Sequence, residues 1–200
     1  MKKLKDIIQE RLHINKDINN HYYNYHPTSK DELEKLIYKL IKERGDDADL
    51  NDIDTSEITD MSYLFYEFEF NGDISNWNVS NVKNMKYMFE NSRFNGDISG
   101  WDVSKVESMT RMFQESVFNK DISKWDVSKV ENMEFMFYNA SFNKDISKWD
   151  VSNVENMGYM FQSSNFNKDI SNWDVSKVKI MDGMFSYSPL ENNPPKWYKE

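Results

Sequence analysis

Two columns of aspartates recur every 24 residues in this 200-residue chain: Asp73, Asp97, Asp121, Asp145 and Asp169, and Asp102, Asp126, Asp150 and Asp174. Carboxylates in register can gather oxygen ligands around a calcium ion or accept hydrogen bonds from turn amides. Calcium takes about six or more oxygens, and calcium-binding β-rolls carry Gly-Gly-x-Gly-x-Asp turns. No such turn occurs here, so the aspartates are expected to cap turns, beside serines 75, 99, 123, 147 and 171 that satisfy further turn amides. No metal and no cofactor is expected. Catalysis has little to build on. His13, His21 and His26 all lie near the N-terminus, outside any zinc spacing. The chain has no cysteine, and each candidate serine or carboxylate is one copy in a column rather than a singular constellation. An enzyme is not expected, and no catalytic residue is assigned.

The same beat organises everything else. Met1 apart, the methionines fall at 61, 85/88, 109/112, 133/136, 157/160 and 181/184, and tryptophans at 77, 101, 125, 149, 173 and 197. A fixed period of this size marks a stack of supersecondary units in which each layer buries its apolar face on the next. Six units align without a gap over 49–192, and a partial seventh, 193–200, replaces Ile and Ser with Pro194 and Pro195 and so removes ladder donors. The spacing Ile98-x-x-Trp101-x-Val103 predicts a short strand, and the three-residue steps Val106, Met109, Met112 predict a 3₁₀ or single α turn on the return. The column Asn71, Asn95, Asn119, Asn143 and Asn167 predicts an internal amide ladder at a bend.

Residues 1–48 read as an N-terminal helical cap. Leu4, Ile7, Ile8 and Leu12 suggest a first helix over about 3–13. Ser29-Lys30-Asp31-Glu32 forms a capping box ahead of the apolar stripe Leu33, Leu36, Ile37, Leu40 and Ile41, with Gly45 as the stop. Between them, 20–27 is expected to be a linker folded over the first coil, and is a second candidate surface.

Net charge is −9, unevenly placed: 1–48 holds 10 Lys/Arg against 9 Asp/Glu, whereas 49–200 holds 15 against 25. Residues 49–69 contain Asp49, Asp52, Asp54, Glu57, Asp60, Glu67 and Glu69 and no Lys or Arg, which disfavours direct nucleic-acid binding and favours a basic protein surface. Charges at Asp6, Glu10 and Arg11 interrupt any secretory apolar region, and no apolar run approaches membrane-spanning length. No membrane insertion is expected, and the chain as written is expected in the cytoplasm.

The repeat F-N-x-D-I-S-x-W-D-V-S-x-V-x-x-M-x-x-M-F, as in Phe118–Phe137, resembles that of the BspA-like leucine-rich repeat surface proteins of bacteria, over residues 49–192. The leader, with Lys16-Asp17 and a capped helix ahead of Asp49-Leu50-Asn51-Asp52-Ile53-Asp54, is similar to short members of that family. The resemblance implies a leucine-rich solenoid for interaction, attachment or surface display, with no catalytic residues. The expected fold is thus an α/β repeat: a right-handed leucine-rich-repeat-like solenoid of six coils with short parallel strands and a helical cap.

Function is then sought where the pattern varies. Between or beside the methionines each coil presents Tyr63, Tyr87, Arg111, Phe135 or Tyr159, and just after them Tyr66, Glu90, Gln114, Tyr138 or Gln162. An outward stripe rich in Tyr and Arg has the composition of a binding hot spot; the alternative is a ladder that only packs on itself. Tyr63, Tyr87, Arg111, Phe135, Tyr159, Tyr66 and Tyr138 are the expected contacts of a protein partner for a monomeric module. A surface-displayed adhesin is the alternative use of the rod. Another is an acidic decoy from a mobile element that inhibits a nucleic-acid enzyme through Asp49 to Glu69 and the Asp columns.

Overall fold

The computed structural model describes residues 23–199. The helix expected over 3–13, with His13 and His21, lies outside the described residues. Helix α1 spans Lys30–Arg44. Ser29 caps it in an extended conformation and accepts from the Glu32 amide at 3.3 Å, while the Glu32 carboxylate accepts from the Thr28 amide at 2.8 Å, one residue outside the expected box. Gly45 ends it at φ +92°, where a β-carbon is strained. Leu33, Ile37, Leu40 and Ile41 are buried, so the predicted stripe is the packed face. Residues 24 and 25 lie against the first coil as the linker reading expects. The amides of both donate to the Asp52 carbonyl, and Tyr25 makes a parallel bridge to Ile53.

From there the 24-residue units lie one upon another. Parallel bridges run Asp60 to Asn84, Ser108, Asn132, Asn156 and Ile180, one per coil. The amides of Met61, Tyr63, Phe65 and Glu67 donate to the carbonyls of Asn84, Lys86, Met88 and Glu90 at 2.9–3.0 Å, and the same columns repeat this through the stack. The spacing predicts the strand at Ile98–Val103, yet coil-to-coil backbone pairing runs through the methionine segment. Around Ile98 the chain turns instead, with the Trp101 amide on the Ile98 carbonyl and the Val106 amide on the Val103 carbonyl. Nor is the methionine segment extended. Tight turns such as Met88 N–H to Met85 C=O alternate with left-handed residues, so isolated bridges take the place of strands among the described residues.

Aromatic rings fill the interior. Phe65, Phe89, Phe113, Phe137, Phe161 and Phe185 stack at 5.4–6.0 Å between centroids, beside a parallel column from Phe70 to Phe166 at 6.2–6.3 Å. Each tryptophan adds a polar tie, its indole N–H donating to a carbonyl 27 residues earlier: Trp125 to Ile98 at 3.1 Å, Trp149 to Ile122 at 3.1 Å. Such a donor satisfies a buried carbonyl that would otherwise lose its water. The Asn column does form a ladder, each Asn Oδ1 accepting the amide of the next Asn at 2.8–3.1 Å. It lies at the half-exposed rim rather than inside, because Phe70 and its copies occupy the interior.

Candidate interaction surface

In each coil the four ladder donors alternate in facing. Met61 and Phe65 point inward and are fully buried, whereas Tyr63 and Glu67 lie on the surface. The backbone at the outward positions is left-handed: Tyr63, Tyr87, Arg111, Phe135 and Tyr159 have φ of 55–63°, and Glu67, Asn91, Glu115, Asn139 and Ser163 have φ of 48–57°. Left-handed backbone costs an L-residue about 1–2 kcal/mol, most for bulky side chains, and Gly or Asn adopts it most easily. The sixth coil places Gly183 there, at φ +58°.

The stripe is continuous. Tyr63 stacks on Tyr87 at 4.4 Å and 8°, and Phe135 on Tyr159 at 4.8 Å and 16°. Between the two pairs the Arg111 guanidinium lies 5.7 Å from the Tyr87 ring and 4.6 Å from that of Phe135. Tyr66 and Tyr138 meet Tyr63 and Phe135 edge-on at 5.7 and 5.5 Å. All seven expected contact residues therefore lie on one face. Tyr63 and Tyr66 are exposed, while Tyr87, Arg111, Phe135, Tyr138 and Tyr159 are half-buried against their neighbours. Two further members were not expected. The Lys30 ammonium of α1 lies 5.6 Å from the Tyr63 ring and donates to Ser62 Oγ at 2.9 Å, extending the stripe onto the cap. At the other end the Tyr159 ring covers Gly183, where a β-carbon would come within 2.7 Å of it. Lys30 sits outside the repeat, so no periodicity could reveal it.

Glu90 and Gln114, which the sequence presents as surface positions, are each only 8% exposed. Burial pushes the Glu90 carboxyl above its ordinary range. Arg111, 4.0 Å away, offsets part of this, and Glu115 and Glu67 add to it. Burial likewise raises the Tyr63 hydroxyl, with Tyr87 adding to the effect.

The aspartate columns are engaged with their own turns. Asp97, Asp121, Asp145 and Asp169 each accept the amide of the serine two residues on at 2.9 Å, and Asp102, Asp126, Asp150 and Asp174 do so at 3.0–3.1 Å. These amide bonds, then the serine hydroxyls, hold the Asp97, Asp121, Asp145, Asp169 and Asp174 carboxyls below the usual range. The serines thus supply the donors that the aspartates satisfy. In the first coil, Asp52 takes a two-pronged contact from Arg44 at 3.0 Å, and Asp49, Asp54 and Asp60 accept the amides of Asn51, Ser56 and Ser62. Among the described residues no group of three or more His, Cys, Asp or Glu is placed to hold a metal, and no helix is long and apolar enough to cross a membrane.

A family model described as Mycoplasma protein of unknown function, DUF285, matches residues 31–141 and 115–198. The chain belongs to this family. The DUF285 match begins inside α1 and runs through the stacked units to Tyr198, so most of α1 and the repeats fall within it. Neither the curated proteins nor the solved structures include a match to the chain.

Proposed function

We propose that this DUF285 chain is a right-handed solenoid of leucine-rich type that acts as a non-enzymatic protein-binding module, with the Tyr63–Tyr159 stripe as its contact face. The observation that carries this reading is the backbone beneath the stripe. Five successive coils hold Tyr, Tyr, Arg, Phe and Tyr at a left-handed position that glycine would occupy more easily, as Gly183 does in the sixth. Side chains retained against local preference point to a use beyond local stability. The stack serves that use by fixing the rings in register, so little side-chain freedom remains to be lost when a partner docks. The resemblance of the repeat to BspA-like surface proteins supports the same use, since a rigid rod can present its face either inside a cell or at its surface.

An acidic decoy would instead use the column aspartates, which hold turn amides through one oxygen while the carboxylates stay exposed. Affinity capture from lysate and culture medium of the native host, comparing wild type with Tyr87→Ala/Tyr159→Ala by mass spectrometry, tests the reading. A protein recovered by wild type and lost from the double variant supports it. Equal recovery removes the stripe as the contact face, and recovery that instead collapses with salt moves the interaction to the acidic surface.

A further inference from the structure

The last layer is not zipped onto the one beneath it. In earlier coils the Arg93, Ser141 and Asn165 amides donate to the Phe68, Ser116 and Ala140 carbonyls, but the next residue of that column is Pro189, which has no N–H. The Asn ladder stops at the same place. Glu191, next in line to donate to Asn167, turns its amide back to the Ser188 carbonyl at 3.1 Å, and the Asn193 amide goes to the Leu190 carbonyl. Pro194 and Pro195 offer no amide at all. Only at Trp197 does the chain rejoin its column, the indole donating to the Ile170 carbonyl at 3.0 Å. Between the turn at 167–171 and this tail a cleft of about 710 Å³ stands open. That size and its mixture of apolar walls with a few polar groups suit a small ligand or a chain end.

Three features of the lining are without a partner. Lys120 and Lys144 are exposed, whereas their copy Lys168 is half-buried at the cleft, and it makes no hydrogen bond or ion pair among the described residues. The nearby carboxylates do not take it up. Asp169 and Asp145 accept the amides of Ser171 and Ser147 at 2.9 Å, and the Lys168 charge reaches Asp145 only through space. Partial burial of an ammonium without a counter-charge is unfavourable. Next to it, Asn167 Oδ1 accepts no hydrogen bond among the described residues, although the same atom of Asn71, Asn95, Asn119 and Asn143 each holds a main-chain amide at 2.8–3.1 Å. Opposite lie the half-buried Leu190, Pro194, Pro195 and Trp197, an apolar wall whose prolines have little freedom to lose. An anion, a main-chain N–H and an apolar body are what these three features call for, and the last residue of a polypeptide carries all of them.

We propose that this cleft binds the C-terminal residue of a partner polypeptide, one with an apolar side chain. The terminal carboxylate pairs with Lys168, the last main-chain N–H donates to Asn167 Oδ1, and the side chain lies against Leu190, Pro194, Pro195 and Trp197. A free apolar acid would satisfy Lys168 and the wall but leave Asn167 as it is. None of the seven stripe residues lines the cleft, so the site stands apart from the contact face proposed above.

Acetyl-alanyl-leucine with a free C-terminus is the probe, titrated into isotope-labelled full-length protein by NMR beside its C-terminal amide and beside isocaproate, which is leucine without its nitrogen. Saturable shifts are expected at the Trp197 indole N–H and the Asn167 side-chain amide, in roughly the millimolar range for so short a ligand. The amidated peptide should bind at least about tenfold more weakly, and Lys168→Gln should weaken the free-acid peptide by a similar factor while its spectrum stays dispersed. Lys144→Gln, the exposed copy one coil earlier, should leave the affinity unchanged. Asn167→Ala removes a side chain that bonds nothing in the free protein, and should lower the peptide to the affinity of isocaproate without changing isocaproate itself. Absence of saturable shifts, equal binding of the amidated peptide, or unchanged binding by Lys168→Gln would each overturn the site. Isocaproate binding wild type as tightly as the peptide would overturn the chain-end assignment in favour of a free acid.

Discussion

At most positions alanine is the better replacement and glycine the worse, by about 0.5–1 kcal/mol, because glycine gains more freedom on unfolding. Tyr159 should reverse that order. Its φ is +58°, the Tyr159 amide donates to the Asp182 carbonyl at 2.9 Å, and the conformation is fixed by ladder bonds on both sides. Any β-carbon there costs about 1–2 kcal/mol, which glycine avoids. The unfolded-state penalty of glycine takes back part of this, so Tyr159→Gly should be the more stable of the pair by about 0.5–1 kcal/mol. Both variants lose the same stack on Phe135, at 4.8 Å, so that loss cancels in the comparison. Val117, exposed and outside the left-handed set, supplies the ordinary order for reference. Urea unfolding of the four variants, with slopes checked for constancy, reads the difference directly. An alanine variant at 159 as stable as the glycine variant, or more so, would refute the claim that these side chains are held against backbone preference.

Trp125→Ala should cost about 3–5 kcal/mol for lost burial and cavity, and more because the Ile98 carbonyl loses its indole donor. Trp197→Ala, at the half-buried end of the column, should cost less in the same unfolding assay. Asn119→Ala strands the Asn143 amide and should cost about 1 kcal/mol at that half-exposed rim. Because its folded carboxyl is raised, Glu90 weakens the fold increasingly as pH rises through the unfolded glutamate value near ~4.3. Glu90→Gln should therefore gain stability over wild type at pH 7 and none at pH 3, read as a difference in thermal unfolding. The depressed aspartates act in the opposite sense. Their stabilisation is complete above the ordinary aspartate range and disappears as pH falls through their lowered values, so wild type should lose stability below about pH 4.

Periodicity made the interior legible, because a residue that stacks on its own copy must recur at one phase. Ile98, Trp101, Val103, Val106, Met109, Met112, Phe113 and Phe118 are all buried as their spacing implies. The helix Lys30–Arg44 and its caps were equally readable, since serine and glycine act through local geometry. Which segment carries the coil-to-coil backbone ladder was not. Trp101 and Val103 alternate like a strand, but the amides pair through Met109–Glu115, where left-handed Arg111 and Glu115 break any strand or helix signature. Non-glycine residues at positive φ leave no mark in composition. The stripe positions were found as departures from the repeat, yet the burial of Glu90 and Gln114 was not foreseeable, because Glu90 meets Arg111 of the next coil, a contact that no repeat position announces. Lys30 joined the stripe through the docking of α1, a tertiary event without a sequence period.

The central claim is that the aromatic stripe contacts a protein partner, and calorimetric titration of the captured partner against wild type and Tyr87→Ala/Tyr159→Ala tests it most directly. Removing two hot-spot rings should weaken binding by at least about thirtyfold, equivalent to roughly 2 kcal/mol, with both proteins folded at the temperature of measurement. Equal affinities for the two proteins would contradict it.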